Sequence, residues 1–169
     1  MGAQKWLSGQ EAVEQFKEVV DHQGLCMMVT RVDEHPSHSR PMSVGQVDDQ
    51  GNFWMLTLAG THKMDDIQRD PRCYLYFINP GKQEFLSVMG TVEVLNDQQK
   101  KEELWSPFAK AWVPGGVEDP DLRALKVTPV DGYYWDTKAG VLVAGMKIAV
   151  AALTGARTSD GGVEGRVKP

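Results

Sequence analysis

The sequence predicts a mainly β fold in which helices are the minority, an antiparallel barrel or sandwich with helices at one end. Three observations lead there. Apolar runs of strand length outnumber helical ones, and short turn clusters join most of them. Neither a G-x-G-x-x-G nor a P-loop is present, so doubly wound nucleotide-binding sheets have no support. A chain of 169 residues fits one domain, taken as residues 1–154, followed by a flexible tail over 155–169.

Ser8 and Glu11 form an S-x-x-E capping signature, and Val13, Phe16, Val19 and Val20 follow at helical spacing, which predicts a first helix over 9–21. His22 ends it, where a cation suits the helix dipole. Residues 25–31 read as a first strand. A polar loop containing Pro36 leads to a second strand over 40–47. The cluster Asp48, Asp49, Gln50, Gly51, Asn52 turns it into a third, over 53–58, as a hairpin. Gly60 and Thr61 open a short helix with Met64 and Ile67 one turn apart, and Asp70-Pro71 stops it. A fourth strand over 72–78 and a turn over 79–82 lead to a fifth strand over 83–95. Its alternation puts Leu86, Val88, Val92 and Val94 on one face and Ser87, Thr91 and Glu93 on the other. Gly90 in its middle marks a bulge or a close backbone approach. Asp97 caps a polar helix ending at Leu104, and a further helical piece over 105–112 ends at Pro114-Gly115-Gly116. Residues 122–130 and 132–136 are the last strands. Residues 141–153 read either as a helix or as an edge strand with a turn, and the Gly-rich, charged residues 155–169 predict disorder.

Composition narrows the function. The net charge is −5 and no long basic run exists, which argues against a nucleic-acid groove. The five tryptophans are scattered and, Trp135 excepted, are assigned to core and dimer packing. Cys26 and Cys73 lie in apolar runs with no C-x-x-C, the pattern of buried thiols rather than of a disulfide framework. The first residues lack a signal-peptide stretch, and 141–153 is too short to span a membrane. A cytoplasmic protein without membrane or nucleic-acid partners is expected. His35 and His38 form an H-x-x-H beside Asp33 and Glu34, but a metal needs more ligands in a fixed geometry, so no metal site is assigned. Asp65 and Asp66 read as a solvated helix face.

The chemistry concentrates between residues 53 and 77. A strand ends at Leu56-Thr57, a small-residue loop follows, and Thr61-His62-Lys63 opens the short helix. Two hydroxyls, one ammonium and the unpaired N–H groups of a helix start suit a phosphate ester. In the alternative reading, Thr61 caps the helix and Lys63 is solvated.

This segment resembles the flavin-phosphate segment of the pyridoxamine-phosphate-oxidase family, Y-T-N-L-G-S-R-K followed by a short helix and N-P-R. Here it stands as L-T-L-A-G-T-H-K from Leu56 to Lys63, then Asp70-Pro71-Arg72. Thr57, Gly60 and Lys63 match, Thr61 keeps a serine's hydroxyl, and His62 replaces an arginine. Arg40-Pro41-Met42 resembles the family's arginine strand, and Tyr134-Trp135 its late aromatic. Glu103-Leu104-Trp105-Ser106-Pro107, then Trp112-Val113-Pro114-Gly115-Gly116, then Asp119-Pro120 are similar to the helical insertion of the general stress protein 26 branch. The resemblance covers residues 8–136. It implies an FMN-binding split barrel, a homodimer with flavin at the subunit interface, and a small-molecule electron donor or acceptor; FAD or riboflavin remain alternatives to FMN. The cofactor contacts it implies are Arg40, Pro41, Met42, Ser43, Leu56, Thr57, Thr61, His62, Lys63 and, from the second subunit, Trp135. The oxidases proper carry a substrate-contacting lysine near the position of Gly45 and a flavin-edge glutamine near Phe85 or Gln83, and no substrate-binding arginine pattern follows Trp135. The expected activity is therefore a flavin-dependent oxidoreductase, with no side chain required as nucleophile or general base, rather than a pyridoxamine-phosphate oxidase. A non-catalytic flavin-binding stress or sensor module and an empty structural barrel are the alternatives.

Overall fold

The computed structural model describes residues 3–136 and 163–169. The expectations for 141–153 and 155–162 lie outside those residues. In chain order the elements are β1 (Ala3–Gln4), β2 (Leu7–Ser8), α1 (Gln10–His22), β3 (Leu25–Thr30), β4 (His38–Val47), β5 (Phe53–Leu58), α2 (His62–Arg69), β6 (Arg72–Asn79), β7 (Glu84–Leu95), α3 (Gln98–Leu104), α4 (Pro107–Lys110), β8 (Leu122–Asp136) and β9 (Val163–Lys168).

Six of these strands close on themselves in the order β8-β5-β4-β3-β6-β7, with β7 returning to β8, and every pair around the ring is antiparallel. Closure removes the free edges that a flat sheet would expose. The alternation read from the sequence supplies the interior: Met28, Phe53, Met55, Leu75, Phe77, Leu86, Val88 and Val127 are fully or almost fully buried. The apolar stripe of α1 plugs one end. Its Phe16 ring lies 5.1 Å from Phe53, which in turn lies 5.7 Å from Phe77. Each such side chain contributes about 1.5–3 kcal/mol relative to leaving it in water.

Several expectations change. The Ser8/Glu11 capping box does not form: Ser8 is in β2, and Gly9 at φ 54° is the N-cap, with no side-chain cap. The Gly9 carbonyl accepts from the N–H groups of Ala12 and Val13 instead. Val163–Lys168, expected within a disordered tail, form β9, which pairs antiparallel with β8 and parallel with β1 and β2. Val167 is fully buried there, which gives this charged segment an apolar anchor that its composition obscures. No tryptophan is in the core: Trp6, Trp112 and Trp135 are exposed and Trp54 and Trp105 half-buried. Phe, Met, Leu and Val already fill the narrow interior, and Trp54 instead donates its indole N–H to Asp48 under the Lys100 ammonium. Val94 is exposed because β7 runs past the core at that end. The two expected last strands are one, β8, in which Val130 is the extra residue of a bulge opposite Met89 and Gly90.

Gly90 shows the close approach its position suggests. A Cβ there would stand 2.7 Å from Val127 Cγ1 and 2.8 Å from the Thr128 carbonyl oxygen. Backbone cannot yield as a flexible side chain can, so Gly90→Ala is expected to destabilise the barrel by roughly 1–3 kcal/mol. Urea unfolding followed by circular dichroism measures this; a midpoint equal to wild type would contradict it.

Candidate functional site

A cleft of about 340 Å³ opens on the outer face of β3, β4 and β5. Its size falls within the usual range for small-molecule pockets, about 300–1,000 Å³. The floor follows from strand alternation: Pro41, Ser43 and Gly45 of β4 and Leu56 and Leu58 of β5 face outward, with Leu25 of β3 beside them. A bulge shifts the β4–β5 register between Val44 and Gln46 and brings Gly45 under the roof. The segment containing α3 and α4 forms that roof through Leu104, Phe108, Trp112 and Val113. Asp97 caps α3 by accepting from the Lys100 N–H, and Ser106 caps α4 by accepting from the Ala109 N–H. These caps fix where the roof begins. Phe108 and Trp112, 61% and 71% exposed, lie 6.5 Å apart at the rim, so apolar surface remains uncovered at the mouth.

One end of this apolar cleft is polar. The Lys63 ammonium donates to the Thr57 hydroxyl at 2.6 Å and reaches the Thr61 hydroxyl at 3.4 Å. No carboxylate pairs with it among the described residues. Burial, and then the nearby Arg40 guanidinium, push its pKa below the usual lysine value. Thr61 does not cap α2; its hydroxyl donates to the Leu58 carbonyl at 3.0 Å, which leaves the first-turn N–H groups without a side-chain partner. Lys63 is also the only titratable side chain lining the cleft among the described residues.

Of the residues singled out in the sequence, Pro41, Met42, Ser43, Leu56, Thr57, Thr61 and Lys63 line this one cleft. Arg40, His62 and Trp135 do not. His62 is exposed at the start of α2. Trp135 is 47% exposed on β8, packed against Tyr133 and paired with Phe85 across β7. Arg40 turns toward Asp66, which is buried rather than solvated. Asp66 Oδ2 accepts from Thr30 Oγ1 at 2.7 Å and from Arg40 Nη2 at 3.0 Å, and His38 Nδ1 lies 3.0 Å away. Arg40 Nη1 also donates to Thr30 at 2.6 Å. The reason is helix phase: α2 buries Asp66 and Ile67 and packs Met64 against the core, so Asp66 is part of the face that docks it on the barrel. The alternation of His38 and Arg40 along β4, opposite Thr30 and Met28, was the available signal for this cluster. The roof residues Phe108 and Trp112 were visible as part of an insertion, but nothing in their spacing says that they close over β5.

The chain belongs to the pyridoxamine 5'-phosphate oxidase-like family, whose model matches residues 11–159. Within it, the chain is similar to solved structures of general stress protein 26. One, from Jannaschia sp. CCS1, is 30% identical, with a TM-score of 0.76 over 91% of this chain and 96% of that one. A further solved structure, of the general stress FMN/FAD binding protein from Xanthomonas citri, shares the fold at 23% identity and a TM-score of 0.65, covering 77% of this chain and 91% of that one. Protein bli-3 of Neurospora crassa is 26% identical over 140 residues; the match covers 76% of this chain and 66% of that protein's length.

Burial alone would raise the Asp66 pKa, but hydrogen bonds from Thr30, His38 and Arg40 outweigh it and hold the carboxyl below its ordinary value. A depressed carboxyl contributes stability that is present above the unfolded-state pKa, about 4, and lost as pH falls through the lower folded-state value. Asp66→Asn is therefore expected to be less stable than wild type by roughly 1.5–3 kcal/mol at pH 7. The gap should narrow as the pH drops below about 4. Denaturant unfolding across pH checks this, and a gap that widens in acid would contradict it.

Proposed function

We propose that the chain is an FMN-binding flavoprotein acting as a flavin-dependent oxidoreductase of the general stress protein type, as a homodimer in the cytoplasm, and not as a pyridoxamine-phosphate oxidase. The observation that carries the reading is Lys63: a half-buried ammonium at the end of an apolar cleft, held by two hydroxyls and, among the described residues, by no carboxylate. Such a site fits the phosphate of a flavin mononucleotide, and the apolar floor and roof fit its ring.

Bound flavin supplies the hydride or single-electron transfer. The chain's own residues bind and orient. Lys63, Thr57 and Thr61 would hold the phosphate, backbone groups of Met42 and Ser43 would serve the ring, and Leu56, Leu58, Leu104 and Val113 would keep water from it. The cleft has no lining carboxylate, histidine or thiol among the described residues, which suits chemistry carried by a cofactor. Loss of the oxidase substrate site is supported at Gly45, where an added Cβ would stand 3.2 Å from Leu104 Cδ2. The Xanthomonas citri protein, described as binding FMN or FAD, adds support for a flavin.

The dimer reading rests on an apolar stripe that continues from the cleft. Leu25 and Met27 on β3, Tyr76 and Ile78 on β6, Phe85 on β7 and Trp135 on β8 are all exposed. Strand register makes them neighbours: Met27 faces Tyr76, Ile78 faces Phe85, and Phe85 faces Trp135. A second copy would cover this stripe and bring its own Trp135 toward the cleft. Sedimentation should give a dimer; a monomer that binds flavin tightly would contradict this part. Cys26 and Cys73, free and buried, with burial pushing each thiol up to about 12, are at home in a reducing compartment.

Lys63→Ala should weaken FMN by about ten- to a hundredfold, the loss of one charge-assisted contact, and riboflavin far less. Equal losses in a fluorescence titration would remove the phosphate assignment. Anaerobic bleaching of the flavin by NADH or NADPH, with colour restored by an added acceptor, is the outcome expected of an oxidoreductase. A flavin that neither reductant bleaches would favour a binding module.

A further inference from the structure

We propose that Asp66 is an internal counter-ion that competes with a bound anion for Arg40, and so sets how strongly the cleft prefers a phosphorylated flavin to the bare ring. This rests on the anion-site reading of Lys63.

Two cations meet around α2: Lys63 lies on it at the polar end of the cleft, and Arg40 is bound 3.0 Å from Asp66, which stands three residues, about one turn, further along the same helix. Only Lys63 lines the cleft. Pro41, the next residue after Arg40, lines it too, while both terminal nitrogens of Arg40 are turned away, one to Asp66 and one to Thr30. The groups around Asp66 come from β3 and β4: Thr30, His38 and Arg40. Arg31 lies behind His38, its Nη1 3.3 Å from His38 Nε2, and is itself paired with Glu34. Arginine can only donate, so His38 Nε2 accepts from Arg31 and His38 Nδ1 is left to donate to Asp66.

The charges then sum simply. Arg40 and Asp66 cancel, Arg31 and Glu34 cancel, and Lys63 alone is uncompensated. A phosphate monoester carries about −1.5 to −2 at neutral pH. A second positive charge that would match it is present but engaged. An anion at Lys63 offers Arg40 a more highly charged partner than Asp66, and binding becomes an exchange. In the empty cleft Asp66 offsets the repulsion between the two cations. The same carboxylate weakens anion binding, because its bond to Arg40 must be given up.

The test compares wild type and Asp66→Asn by flavin-fluorescence titration with FMN and with riboflavin, alongside thermal unfolding without flavin. The asparagine variant should melt lower when empty, yet its ratio of riboflavin Kd to FMN Kd should rise about tenfold, one charge-assisted hydrogen bond no longer being surrendered. Asp66→Glu, which keeps the charge, should retain the wild-type ratio. In wild-type protein the Arg40 guanidinium ¹⁵N signals should move with FMN and stay put with riboflavin, which reads the exchange without any variant. A folded Asp66→Asn protein whose ratio equals or falls below wild type overturns the proposal, as do Arg40 signals that ignore FMN. If wild type prefers FMN and the variant changes nothing, only the competition fails. If wild type binds both flavins equally, the anion-site reading fails and takes the competition with it.

Discussion

An ammonium group half-withdrawn from water, with hydroxyls as its only side-chain hydrogen-bond partners among the described residues, is the constraint on which the functional reading depends. Lys63 is desolvated and repelled by Arg40, and Thr57 and Thr61 answer with dipoles rather than a charge. Neutral partners leave such a cation with unused capacity for an anion. Its position follows from α2, an eight-residue helix that keeps only two side chains buried, Asp66 and Ile67. The polar anchor of the helix and the electrostatics of the cleft are thus one cluster, and a change at Asp66 is felt at both.

The barrel makes this arrangement possible by being closed. Because β7 returns to β8, each strand has a settled inside and outside, and the outer faces of β4 and β5 are free to become a floor. Gly45, set off by a local slip in register, lets the roof come down to that floor. The roof segment makes the cleft narrow and apolar and ends in two exposed aromatic rings at its mouth. Stability and recognition are divided between the two surfaces of the same strands: Phe53 and Met55 point inward to the core, while Leu56 and Leu58 point outward to the cleft.

Much of this was legible in the sequence wherever one residue type has one physical use. The alternation in β7 as far as Val92, the hairpin turn around Asp48 and the cap at Asp97 are local patterns, and they formed where expected. The Thr57–Lys63 segment was legible because hydroxyls, a lysine and a helix start lie within seven residues. Long-range features were not. Asp66 looks like any acidic residue of an exposed helix until Thr30, His38 and Arg40 are folded against it. Residues 163–168 carry little apolar content and become a strand only because β8 offers them an edge. The capping signature at Ser8 and Glu11 was overridden when Ser8 paired with β9. At Ser8 a tertiary contact outweighed a local capping preference of about 1 kcal/mol.

The most direct test of the central claim is to purify the protein without added cofactor, denature it under anaerobic conditions and identify by mass what is released. The account predicts flavin mononucleotide, in a molar ratio approaching one per chain. A ring compound without a phosphate, or protein that stays colourless after incubation with excess FMN, would contradict it.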